Sequence, residues 1–109
     1  MLLSISCERI PFQIKRVFTL SPSSNLEPRG GHAHKTCWQL IFPVAGEILV
    51  EFANIRELKT LKIVPSLGIL IPPWNWCKVY FESTNSHAVV ICSDVFNQDD
   101  YVYDKPART

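Results

Sequence analysis

The chain has 109 residues, of which 47% are hydrophobic, with eleven Lys and Arg against ten Asp and Glu. That is enough apolar material for one core, and a near-neutral charge with no block of like charges argues against a nucleic acid partner. No stretch approaches membrane-spanning length and MLLSISCERIPF has neither a basic n-region nor a sufficient apolar run for a secretory signal, so we expect a single cytoplasmic domain over 1–109, with no membrane partner.

Short runs rich in Val, Ile, Phe and Tyr alternate with Gly, Pro, Asn and Ser along the chain, the pattern of strands joined by turns. The runs predict strands over 10–20, 38–43, 47–52, 58–64, 68–71, 78–81 and 87–93, and no segment carries a helical stripe. Residues 21–31 read as a polar loop, and the tail from Asn97 onward, with Asp99, Asp100, Asp104, Lys105 and Arg108, reads as exposed. Eight prolines suit strand edges and turns. The fold class is therefore all-β, an antiparallel sandwich or barrel. Cys7, Cys37, Cys77 and Cys92 are widely and irregularly spaced, which predicts reduced thiols rather than a disulfide framework.

RGGHAHKTCWQ at 29–39 carries the most chemistry. Alternation in a strand sends His32 and His34 to one face and Ala33 to the other. The small Gly30, Gly31 and Ala33 leave room there, as a ligand pocket requires. The alternative is a solvated strand face bearing two imidazoles without a task. Lys35 points away from the pair. Gln39 shares their face only if a bulge intervenes. Trp38, Trp74 and Trp76 suit either stacking on a ligand ring or core packing, Tyr80, Tyr101 and Tyr103 suit a pocket or a dimer contact, and Glu47 and Glu51 face solvent.

From His34 the chain runs four residues to Gln39 and six more to Gly46, and GILIPPWNWC follows at 68–77. This layout resembles the two motifs of the cupin superfamily, which implies a jelly roll. Gln39 stands where that superfamily has a metal-binding Glu, and Cys77 where it has its last His. A Gln carbonyl brings no charge to offset the loss of hydration of a divalent ion, so no metal is expected, although two His and a thiol remain a conceivable zinc set. Without a metal, two adjacent imidazoles suit general acid and base work.

IPFQIKRVFTL at 10–20, RGGHAHK at 29–35, IPPWNWCKVYF at 71–81 and SDVFNQDDYVYD at 93–104 together resemble the sugar nucleotide 3,4-ketoisomerases, or WxcM-like cupins. The resemblance implies a dimer of jelly rolls that needs no cofactor. It implies that the substrate is a dTDP-linked 6-deoxyhexulose whose keto group moves between C4 and C3 during deoxysugar biosynthesis for cell-surface polysaccharides. It makes His32 and His34 the catalytic pair, and gives Arg29, Gln39, Trp76, Cys77 and Phe18 places in the substrate pocket. Phe18 stands where the family usually has Tyr, and Cys77 where it usually has His or Arg, so a phenol and a cation are both missing. A non-catalytic sugar-nucleotide-binding domain is the alternative that these two departures suggest.

Overall fold

The computed structural model describes residues 2–4 and 10–106. Cys7 and Arg108, considered above, lie outside the described residues. The fold is all-β, with ten strands among the described residues: β1 (Leu2–Ser4), β2 (Arg16–Leu20), β3 (Arg29–His34), β4 (Gln39–Ala45), β5 (Ile48–Ala53), β6 (Leu58–Ile63), β7 (Leu67–Ile71), β8 (Trp76–Phe81), β9 (His87–Cys92) and β10 (Tyr101–Val102). They form two five-stranded antiparallel sheets, ordered β1-β7-β4-β9-β2 and β10-β3-β8-β5-β6. Neighbours such as β4 with β9 and β3 with β8 are far apart in sequence, and this interleaving of the chain between two facing sheets is that of a jelly roll.

Alternation explains the core. In β5, Ile48, Val50 and Phe52 turn inward, and Val79 and Phe81 of β8 and Val90 of β9 meet them in the main cluster between the sheets. Each such side chain contributes about 1.5–3 kcal/mol when it leaves water. Leu40, Leu70 and Ile91 instead form a cluster on the outer face of the first sheet, covered by Ile10 and Phe12. Ile10 and Phe12 thus anchor the segment before β2 on that face. The predicted strand over 10–20 is corrected to Arg16–Leu20, because Pro11 offers no N–H to a ladder and the segment's role is to cover that face.

The other six predicted strands correspond to β4 to β9 with ends shifted by one or two residues. Two expectations need correction. The polar loop ends before Arg29, since Gly30 and Gly31 adopt φ of +90° and +88° inside β3 and bulge the strand rather than end it. The tail is not wholly exposed. A 3₁₀ turn at Gln98–Asp100, capped by the Asn97 side chain, buries Asp100 and leads into β10, which pairs with β3 through Tyr101 opposite His34.

Candidate active site

The space between the sheets is not filled at one end, where a cavity of about 220 Å³ remains. β2 supplies Arg16 and Phe18 and β4 supplies Gln39 from the first sheet. Arg29, His32, Cys77 and Tyr101 close it from the second. The β3 bulge builds this wall. A Cβ on Gly30 would lie 3.1 Å from the Cys77 carbonyl oxygen, so glycine allows β3 to approach β8 and to turn His32 into the cavity.

His32 and His34 do share a face, with ring centroids 4.9 Å apart and the planes nearly perpendicular. Only His32 lines the cavity. Tyr101 stacks on it at 4.2 Å and meets His34 edge-on at 4.6 Å. Desolvation, and next the neighbouring His34, push the His32 pKa down to about 4, so the ring is a neutral acceptor at ordinary pH.

His34 is buried, and its Nδ1 lies 2.9 Å from Oδ2 of Asp100. A carboxylate only accepts, so Nδ1 carries the proton and Nε2 keeps a lone pair. That Nε2 is buried and has no hydrogen-bond partner among the described residues. Burial lowers the His34 pKa, and the pull of Asp100 in the other direction does not restore it. Burial would raise the Asp100 carboxyl, yet the Thr36 amide at 2.8 Å, His34, the Thr36 hydroxyl at 3.1 Å and the Cys37 amide at 3.3 Å outweigh this and hold it below the usual range. Asp100 is thus a fixed anion that orients His34.

The remaining site residues of the sequence reading divide between cavity and core. Phe18 and Cys77 line the cavity, and burial pushes the Cys77 thiol up to about 12, so it stays protonated. Gln39 reaches the cavity from the facing sheet rather than from the histidine strand, with Nε2 3.6 Å from the Cys92 sulfur. Arg29 is exposed at the mouth, its Nη1 donating to the Ser21 carbonyl at 3.4 Å. Trp76 is corrected. It alternates with Cys77 and so faces the other side of β8, buried against Ala33 and Ala53, with its indole N–H donating to the Tyr103 carbonyl at 3.2 Å.

Sequence reasoning missed Arg16, Asp100 and the placement of Tyr101. The Arg16 guanidinium lies 4.4 Å above the Phe18 ring and 5.1 Å from that of Phe96, and no carboxylate pairs with it among the described residues. The signal for Asp100 was an acid three residues after a capping Asn, which marks a turn that can bury a side chain. His32, His34 and Cys77, the conceivable zinc set, do not converge. Among the described residues no three His, Cys, Asp or Glu are grouped to hold a metal ion.

A jelly roll with a histidine-lined cavity between its sheets places the molecule among the cupins. The chain belongs to the FdtA family, described as WxcM-like, C-terminal, whose model matches residues 2–107. It is 32% identical over 97 residues to the TDP-4-oxo-6-deoxy-alpha-D-glucose-3,4-oxoisomerase of Aneurinibacillus thermoaerophilus, covering 87% of this chain and 69% of that one. A variant of the 3,4-ketoisomerase QdtA from Thermoanaerobacterium thermosaccharolyticum, crystallised with TDP-4-keto-6-deoxyglucose, superposes with a TM-score of 0.81 at 26% identity, covering 87% of this chain and 70% of that one. A 3,4-ketoisomerase from Helicobacter canadensis gives a TM-score of 0.80 at 29% identity, over 87% and 72% of the two chains.

Proposed function

We propose that this protein is an isomerase that moves the keto group between C4 and C3 of a dTDP-linked 6-deoxyhexulose, in deoxysugar and cell-surface polysaccharide biosynthesis. The observation that carries the reading is His32, a neutral imidazole turned into a cavity between the sheets with a second, carboxylate-oriented imidazole 4.9 Å behind it. In the forward direction a base takes the proton from C3, which the C4 ketone acidifies. The resulting enediolate takes a proton at C4, and O3 loses its proton to become the new carbonyl. Protons are conserved and no electron acceptor is needed.

His32 alone borders the cavity and is assigned the transfer at carbon. His34, locked by Asp100 with a free Nε2 lone pair, is assigned the second position of a proton relay. Gln39, Arg16 and the Tyr101 hydroxyl are the polar groups available to the sugar oxygens, and Arg29 at the mouth suits the diphosphate. Phe18 adds an apolar wall and Cys77 a weak donor. Trp76, packed away from the cavity, has no direct role in this assignment.

Incubation with dTDP-4-keto-6-deoxyglucose in D₂O should exchange the C3 hydrogen, as read by NMR, and His32→Asn should abolish exchange with the fold retained. Retained exchange in that variant overturns the assignment. Phe18 and Cys77 favour a second reading, a non-catalytic sugar-nucleotide-binding domain. Thermal stabilisation by dTDP with no exchange at any sugar carbon would select it.

The working form is proposed to be a single-domain chain over 1–109 in a cytoplasmic homodimer, which sedimentation tests. No helix among the described residues is long and apolar enough to cross a membrane.

A further inference from the structure

The isomerisation proposed above moves two protons, one from C3 to C4 and one from O3 to O4, and His32 accounts only for the first. The second needs a group beside the cavity that can both give a proton and take one back. The guanidinium groups of Arg16 and Arg29 stay protonated, and the Gln39 amide has no proton to titrate. Burial pushes the Cys77 thiol up to about 12 and leaves it a weak donor. Tyr101 remains, and it is the one hydroxyl-bearing side chain among the described residues that border the cavity.

Tyr101 of β10 is the register partner of His34 in β3, so its side chain lies on the face that carries both imidazoles. Its ring lies over that of His32, with centroids 4.2 Å apart and 23° between the planes. His34 at 4.6 Å and Phe96 at 5.8 Å meet the same ring edge-on. These contacts fix phenol and imidazole side by side. Tyr80 donates its hydroxyl to Glu51 at 2.9 Å, whereas the Tyr101 hydroxyl has no hydrogen-bond partner among the described residues and is free to meet a ligand oxygen.

We propose that the Tyr101 hydroxyl is the acid and base at oxygen, carrying a proton from O3 to O4 of the keto sugar while His32 carries one from C3 to C4. The assignment rests on the isomerase reading above. As His32 takes the C3 proton, the C–H electron pair becomes the C3–C4 double bond, the carbonyl π pair moves onto O4, and O4 takes the phenolic proton. The phenolate then removes the proton of O3, whose O–H pair becomes the new C3 carbonyl. The C3–C4 π pair takes the imidazolium proton at C4. Both side chains end as they began, and no oxidant or reductant enters. Until the proton transfers, the phenol is also a donor aimed at the charge developing on O4.

The test compares the full chain with Tyr101→Phe, which keeps the stacked ring and deletes the hydroxyl, on dTDP-4-keto-6-deoxyglucose. The kcat for isomerisation, and C3 deuterium exchange with it, should fall by about 100-fold or more. KM, the thermal midpoint and the NMR resonances of the His32 and His34 rings should change little. Replacing Tyr101 by 3,5-difluorotyrosine keeps the hydroxyl and makes it more acidic, so the alkaline limb of kcat should move to lower pH. His32, His34 and Tyr103, the titratable groups against this ring, are the same in both proteins.

Retained turnover in Tyr101→Phe, or an alkaline limb that stays in place in the fluorinated protein, would overturn the proposal. So would a loss of activity accompanied by shifted His32 resonances, the mark of a ring that only buttresses the imidazole. A parent chain that neither exchanges nor isomerises overturns the isomerase reading and this assignment together, whereas an active parent with an unimpaired Tyr101→Phe variant fails this assignment alone.

Discussion

The Nδ1 of His34 lies 2.9 Å from Oδ2 of Asp100, across 66 positions of sequence. The pair fixes one imidazole tautomer inside a low-dielectric wall, where a stray rotation would point the wrong nitrogen at its neighbour. Asp100→Asn keeps the shape and removes the charge, and an amide nitrogen facing Nδ1 would drive the proton to Nε2. Deuterium exchange at C3 should fall by about 100-fold, the lower end of what a positioned acid–base group contributes. Asp100→Ala leaves Thr36, Cys37 and His34 donors unpaired in a buried place, and urea unfolding should show a loss of about 3 kcal/mol.

The same burial makes the site sensitive to acid. Burial, and next the neighbouring His34, push His32 down to about 4 in the folded chain from the usual 6.5 of an imidazole. Between these values the unfolded chain binds more protons than the native one, so stability is complete above pH 6.5 and is lost as pH falls toward 4, by up to about 3 kcal/mol. Asp100, also lowered, adds loss in the same direction at lower pH. Denaturant midpoints measured from pH 7 to pH 4 should decline with this slope, and His32→Asn should flatten it. The acid limb of kcat/KM should likewise fall near pH 4 instead of near 6.5.

Alternation alone placed His32 and His34 on one face, because that relation is local to three residues. The same rule also separates Trp76 from Cys77, adjacent in β8, so both could not border one cavity. Resemblance to a motif outweighed the pleat in that instance. Gln39 was unreadable for another reason. Its position depends on which sheet β4 joins, and the pairing of β4 with β9 spans some fifty residues that no local pattern encodes. Asp100 likewise owes its burial to the pairing of β10 with β3, which turns a tail of charged residues into part of the wall. Strand existence was legible from period-two patterning, whereas strand partnership was decided by the global closure of two sheets.

Gly30 offers a test of how the β3 bulge supports the site. At φ of +90° any side chain is strained, and its Cβ would press on the Cys77 carbonyl, a backbone atom that cannot swing away. Gly30→Ala should cost about 1–3 kcal/mol in denaturant unfolding. The strand that carries His32 must then shift from β8, so exchange activity should fall even at temperatures where the variant is fully folded. A variant as stable as the parent would show that the bulge relaxes freely.

Arg16 offers the sharpest separation of binding from stability. Its guanidinium rests on Phe18 with no carboxylate partner among the described residues, so little of the fold depends on its charge, while the cavity has few other cations to meet an anionic ligand. Arg16→Met preserves much of the apolar stem over Phe18 and removes the charge. The thermal midpoint should stay within a few degrees of the parent. Affinity for dTDP, measured by calorimetry, should weaken by about tenfold or more, corresponding to roughly 1.4 kcal/mol for one charge-assisted contact. Arg16→Lys keeps a cation but loses the planar stack and the fork of donors, and should bind with intermediate affinity. Equal affinity in all three proteins would place the diphosphate away from β2 and leave Arg29 at the mouth as its anchor.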